Sequence, residues 1–68
     1  MHVNPRKRHD AGIELWKIAQ LYKQYRSDVT DSIALRLAIL ANPDLGEIYL
    51  GSPVRRDAAG DVKKFLLG

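Results

Sequence analysis

Asp31-Ser32-Ile33-Ala34-Leu35-Arg36-Leu37-Ala38-Ile39-Leu40-Ala41-Asn42-Pro43-Asp44 is the most apolar stretch of this 68-residue chain, with Arg36 the one charge between Ser32 and Pro43. At about 100° per residue, Ile33, Leu37 and Leu40 fall on one side of a helix and Leu35 and Ile39 on another. A helix that is apolar nearly all round is buried. In so short a chain it is therefore either the central helix or the contact with a second copy. Asn42-Pro43-Asp44 ends it, because proline disfavours α geometry in the residue before it. The same three residues supply an N-cap, N1 and N2 for a new helix.

Upstream, Ser27-Asp28-Val29-Thr30-Asp31 reads as a break and a restart. Asp28 or Thr30 caps the second helix, and Asp31 places an anion in its first turn. A first helix is predicted from about Ala11 to Arg26, with Leu15, Ile18, Ala19, Tyr22 and Tyr25 inward and Lys17, Gln20, Lys23 and Gln24 outward. Asp10 is its expected N-cap. Trp16 stands off the apolar stripe, near Ile13. Residues 1–12 are expected to form a flexible basic arm, leaving 13–68 as a single small helical domain.

Downstream, Glu47-Ile48-Tyr49-Leu50 continues a short helix to Gly51, or instead pairs with Val54-Arg55-Arg56 as a minimal β-hairpin; the short helix is the preferred reading. A last helix is expected to start at Ser52-Pro53 or Asp57 and run to Leu67. It turns Val54, Ala58, Val62, Phe65 and Leu66 inward, and Arg56, Gly60, Lys63 and Lys64 outward. Gly60 inside a helix costs about 1 kcal/mol relative to alanine, which points to a later start or a kink. The expected fold is all-α: a small bundle of three main helices, with the short element between the second and third.

Composition narrows the possibilities. The chain has no cysteine, so disulfides and thiolate metal sites are excluded. Apolar residue types make up 46% of it, too many for a disordered protein. Glu14, Lys17 and Gln20 interrupt the only candidate for a signal-peptide core. No stretch approaches the roughly 20 apolar residues that cross a bilayer. A cytoplasmic protein, complete as a small gene product and without a membrane partner, is expected.

Charge is localised. Eleven Lys and Arg face eight Asp and Glu, for a net +3. Arg6-Lys7-Arg8 accounts for all of that excess. Cations of this kind bind nucleic acid phosphates or an acidic protein surface, and equally serve as a solubilising tail. Arg56, Lys63 and Lys64 form a second basic feature beside Gly60, although lysines near a helix C-terminus are also favoured by the dipole alone.

Ile13 and Trp16 form a candidate protein interface, since Trp is enriched at binding hot spots. Leu35 and Ile39, if left uncovered, form a candidate homodimer contact. No nucleophile, base and orienting group are placed together, and both histidines, His2 and His9, precede the first helix. His2, His9 and Asp10 match no metal-ligand spacing. A helix-turn-helix reading would put Glu47, Tyr49 and Leu50 at the base-reading positions, where they are chemically unsuited.

Small size, absence of cysteine and an arm followed by helices resemble the layout of many small phage and mobile-element proteins; no motif carries that likeness. The leading expectation is a non-catalytic regulatory or accessory protein, without a cofactor, that binds nucleic acid through Arg6, Lys7, Arg8, Arg56, Lys63 and Lys64. The alternative is a protein-interaction module, an inhibitor or assembly subunit, that presents Trp16 and the basic arm to a protein partner.

Overall fold

Small residues set the spacing of the helices. In the computed structural model, which describes residues 5–67, α1 (Pro5–Tyr25), α2 (Asp31–Ala41), α3 (Pro43–Leu50) and α4 (Ala59–Leu67) follow in order, with no strand among the described residues. The buried cluster consists of Leu15 and Ala19 of α1, Ala34 and Ala38 of α2, and Val29 from the connection between them. Leu15 is the only large side chain in it that is fully buried. Alanines at the contact let the helix axes approach closely and push larger side chains to either flank.

The second helix is therefore central, but not in the way its two apolar sides suggest. Its fully buried line is Ala34 and Ala38, which lies between them. Leu35, Leu37 and Ile39 are half-buried against the edge of the core, and Ile33 is 46% exposed. The shortest extent of the molecule is 13 Å, against 37 and 22 Å in the other directions. Large apolar side chains on the flanks, among them Ile13, Trp16, Leu21 and Ile33, stay exposed.

Local signals explain the boundaries. Thr30, not Asp28, caps α2, its hydroxyl accepting from Ile33 N at 3.2 Å. Val29 before the cap and Ala34 share the buried cluster, the arrangement of a hydrophobic staple. Asn42 closes α2 with both its backbone N–H and its side-chain amide on Ala38 O, each at 3.0 Å. It makes no side-chain cap for α3, which begins with Pro43 at N1. At Gly51 the chain turns left-handed, φ 73°, and its N–H returns to Glu47 O. Glycine is the residue that takes this helix-ending conformation without strain. Glu47–Leu50 thus belongs to a helix and not to a hairpin.

Three expectations are corrected. The first helix starts at Pro5, not Ala11, so within the expected arm residues 5–12 are helical, and residues 1–4 lie outside the described part. Its start repeats the Asn-Pro signal of α3, with proline at N1, and it is held by packing: Ala11 is buried and Gly12 lies against the Tyr49 ring. The last helix starts at Ala59, so Gly60 sits in its first turn. Val54 and Arg56 are tied to α3 instead, with Val54 N donating to Glu47 and Arg56 bonded to Asp44 and Glu47. Tyr25, expected inward, is 69% exposed at the end of α1, beyond the Leu15–Ala19 layer.

α4 packs on α2 and on the C-terminal end of α1. Arg26 fastens it there. The guanidinium lies 4.5 Å from the Phe65 ring centroid and donates to Phe65 O at 2.9 Å, while also holding Asp28. A cation on the last carbonyls of a helix satisfies orphan acceptors and the dipole together.

The α2–α3 approach depends on Gly46, where a Cβ would stand 2.6 Å from Ile39 Cγ2 and 3.2 Å from the Ile39 carbonyl oxygen. Gly46→Ala is expected to lower the unfolding free energy by about 1–3 kcal/mol through overpacking. Gly60→Ala meets nothing within 4 Å and is expected to leave stability unchanged or raise it by about 0.4–1 kcal/mol. Urea unfolding of the two variants checks the pair, and equal effects would contradict the close approach.

Candidate functional site

The flank of α1 that carries Trp16 meets α2 and α3 at an open groove. Its α1 wall is formed by Gly12, Ile13 and Trp16, and its far side by Leu35 and Tyr49; the volume is about 870 Å³. Gly12 sets the depth, since a Cβ there would lie 3.0 Å from Tyr49 Cε1. A second trough of about 480 Å³ adjoins it, sharing Leu35 and Tyr49 and extending past Ile39 and Leu50 to Val54. Ile13, Trp16 and Leu50 are 43–46% exposed, a large apolar area for a chain of this size.

The groove brings together all four residues singled out in the sequence as interface candidates. Ile13 and Trp16 line one trough, Ile39 the other, and Leu35 both. Leu35 and Ile39 also pack on the core beside Leu45 and Tyr49 of α3, so they are partly covered within one chain. Tyr49, which joins the troughs, and Leu50 were missed. Their signal was ambiguous in sequence, because Glu47–Leu50 is too short for periodicity to separate helix from strand.

The rim has one sign of charge. Arg8, His9 and Lys17 line the first trough, Arg36 and Arg55 the second, and no carboxylate lines either. Arg8 Nε donates to Tyr49 O at 2.7 Å and so ties the start of α1 to the end of α3. Glu14 lies 3.6 Å from Lys17, and Asp57 pairs with Arg55, both from outside the troughs. Arg36 is exposed, with no ion pair among the described residues.

The residues expected to contact nucleic acid are dispersed. Arg6, Lys7 and Arg8 stand in the first turns of α1. Lys63 lies beside Tyr25 at the other end, about 26 Å away along the helix axis. Lys64 and Lys63 border a shallow depression over Gly60. Arg56 is not on that helix. Its guanidinium bonds Asp44 at 2.6 Å and Glu47 at 2.7 Å, a clamp between the last loop and α3. Among the described residues no group of three His, Asp or Glu is placed to hold a metal ion. Among the described residues no helix is long and apolar enough to cross a membrane.

No family model, curated protein or solved structure matches this chain.

Surface pairs tune the charge of the fold. Hydrogen bonds from Arg26, Lys23 and Arg55 hold Asp28, Asp31 and Asp57 below the usual carboxylate range. Burial pushes the Tyr22 hydroxyl up, partly offset by a hydrogen bond its oxygen accepts from the Asn42 side chain. For a carboxylate whose folded pKa is depressed, the unfolded chain binds more protons in the acid range. The stabilisation is then complete above the unfolded value, about 3.9, and disappears as pH falls through the folded value. Thermal stability is expected to be insensitive to pH near neutrality, where these pairs contribute in full, and to weaken below about pH 4. The loss should shrink in high salt, because the pairs are exposed and screened; a salt-independent acid transition would assign it elsewhere.

Proposed function

We propose that this chain is a non-catalytic binding protein that captures another protein on the Trp16 groove, in the manner of an inhibitor or an assembly subunit. The observation that carries this is the convergence of Ile13, Trp16, Leu35 and Ile39 from two helices onto one open face beside Tyr49. A tryptophan set in a concave apolar surface with a polar rim has the anatomy of a binding hot spot. The core does not need Trp16: it is 45% exposed, while alanines fill the helix contact.

A second reading, nucleic acid binding, is favoured by one feature. Arg6, Lys7 and Arg8 lie at the N-terminal end of α1, where the helix dipole disfavours cations. An anionic partner would relieve that repulsion, and phosphate is one candidate. The six cations named above do not converge as the groove residues do, so this reading ranks second.

A photoreactive benzoylphenylalanine placed at Trp16, and in parallel at Leu21, tests the proposal in the cells of origin. Leu21 is 53% exposed on another flank of α1 and serves as the control. The expected result is one discrete polypeptide adduct from position 16 and none from 21. Adducts to nucleic acid, or equal patterns at both positions, would overturn the proposal. For the second reading, duplex binding should fall steeply between about 50 and 200 mM salt and be mostly lost when Arg6, Lys7 and Arg8 are replaced by alanine.

A further inference from the structure

We infer that the occupant of this groove is an acidic amphipathic helix of a different protein. The inference rests on the docking reading above and adds the chemistry of the partner. Charge comes first. The charged residues that line the two troughs, Arg8, Lys17, Arg36 and Arg55, are all cationic. An apolar segment edged with Asp or Glu complements this rim; a neutral or basic one does not.

The same rim disfavours a second copy of this chain. A two-fold interface places one patch against itself. Arg8, Lys17, Arg36 and Arg55 would then face their own counterparts across an apolar surface, where like charges repel most strongly.

Shape selects the helix. The described residues contain no strand, so there is no sheet edge for a partner strand to extend. A trough walled by α1, α2 and α3 suits the helix-in-groove mode, in which large apolar residues at i, i+3 or i+4, and i+7 enter successive depressions. Two depressions joined at Leu35 and Tyr49 supply that succession. A single-stranded nucleic acid would use the cations and stack on Trp16. The floor is mainly aliphatic, however, with Ile13, Leu35, Ile39 and Leu50 offering nothing to base edges.

The test selects phage-displayed helical peptides of about 20 residues against the whole chain, a length of about 30 Å. Trp16 is the only tryptophan, so its emission reports occupancy directly. Enriched peptides should pair a row of large apolar residues with Asp or Glu flanks and shift Trp16 emission to the blue. Binding should weaken about tenfold or more on Ile13→Asp and several-fold on Arg36→Glu, both exposed positions whose folding is checked by circular dichroism.

Peptides that need Ile13 but carry neutral or basic flanks would overturn the acidic-helix inference and leave the docking reading standing. Concentration-dependent self-association that shifts Trp16 emission and is lost on Ile13→Asp would do the same, with a second copy as the occupant. Enriched peptides indifferent to Ile13→Asp, or an oligo-dT strand that shifts Trp16 emission with comparable affinity, would overturn the docking reading itself.

Discussion

The close contact of α1 with α2 through alanine is the constraint from which the other features follow. Leu15 and Ala19 meet Ala34 and Ala38, and Val29 closes the end of the layer. Small side chains there gain little transfer free energy each, about 25 cal/mol per Å² of apolar surface removed from water. They gain instead by bringing whole helix surfaces into van der Waals contact. The larger apolar residues of both helices flank this contact and are only partly covered. One of those flanks, backed by α3, becomes the groove.

Polar contacts hold the short elements where the small core cannot. Arg8 joins the start of α1 to the end of α3, Arg26 clasps α4 by its Phe65 carbonyl and ring, and Arg56 draws the last loop onto Asp44 and Glu47. These pairs are exposed, so each contributes modestly and is weakened by salt. Their geometric effect is larger. The Arg56 clamp, with the Val54 N–H bond to Glu47, fixes residues 54–56 beside α3, and Val54 and Arg55 form one end of the second trough.

The same contacts redistribute the basic charge that dominates the sequence. Arg8 and Arg56 are engaged with the fold, whereas Arg36, a single arginine inside an apolar run, ends up at the groove with no ion pair among the described residues. Electrostatic character at the candidate site therefore depends less on where cations cluster along the chain than on which ones the tertiary contacts leave facing the same space.

Local signals in the chain were enough to determine that its main elements are helices, that α2 spans about Asp31–Ala41 and that Asn42-Pro43 ends it, while Glu47–Leu50 stayed open between helix and strand. Each of these rests on caps, prolines and periodicity acting within a few residues. Trp16 was visible as an outlier for the same reason. The tertiary structure alone decided that α1 begins at Pro5, because Ala11, Gly12 and Arg8 gain their partners on α3, more than 30 residues away in sequence. It also decided that the alanine line of α2 is the buried one. Packing distance selected that face, and hydrophobic periodicity, which weighs a large side chain above a small one, points to its neighbours.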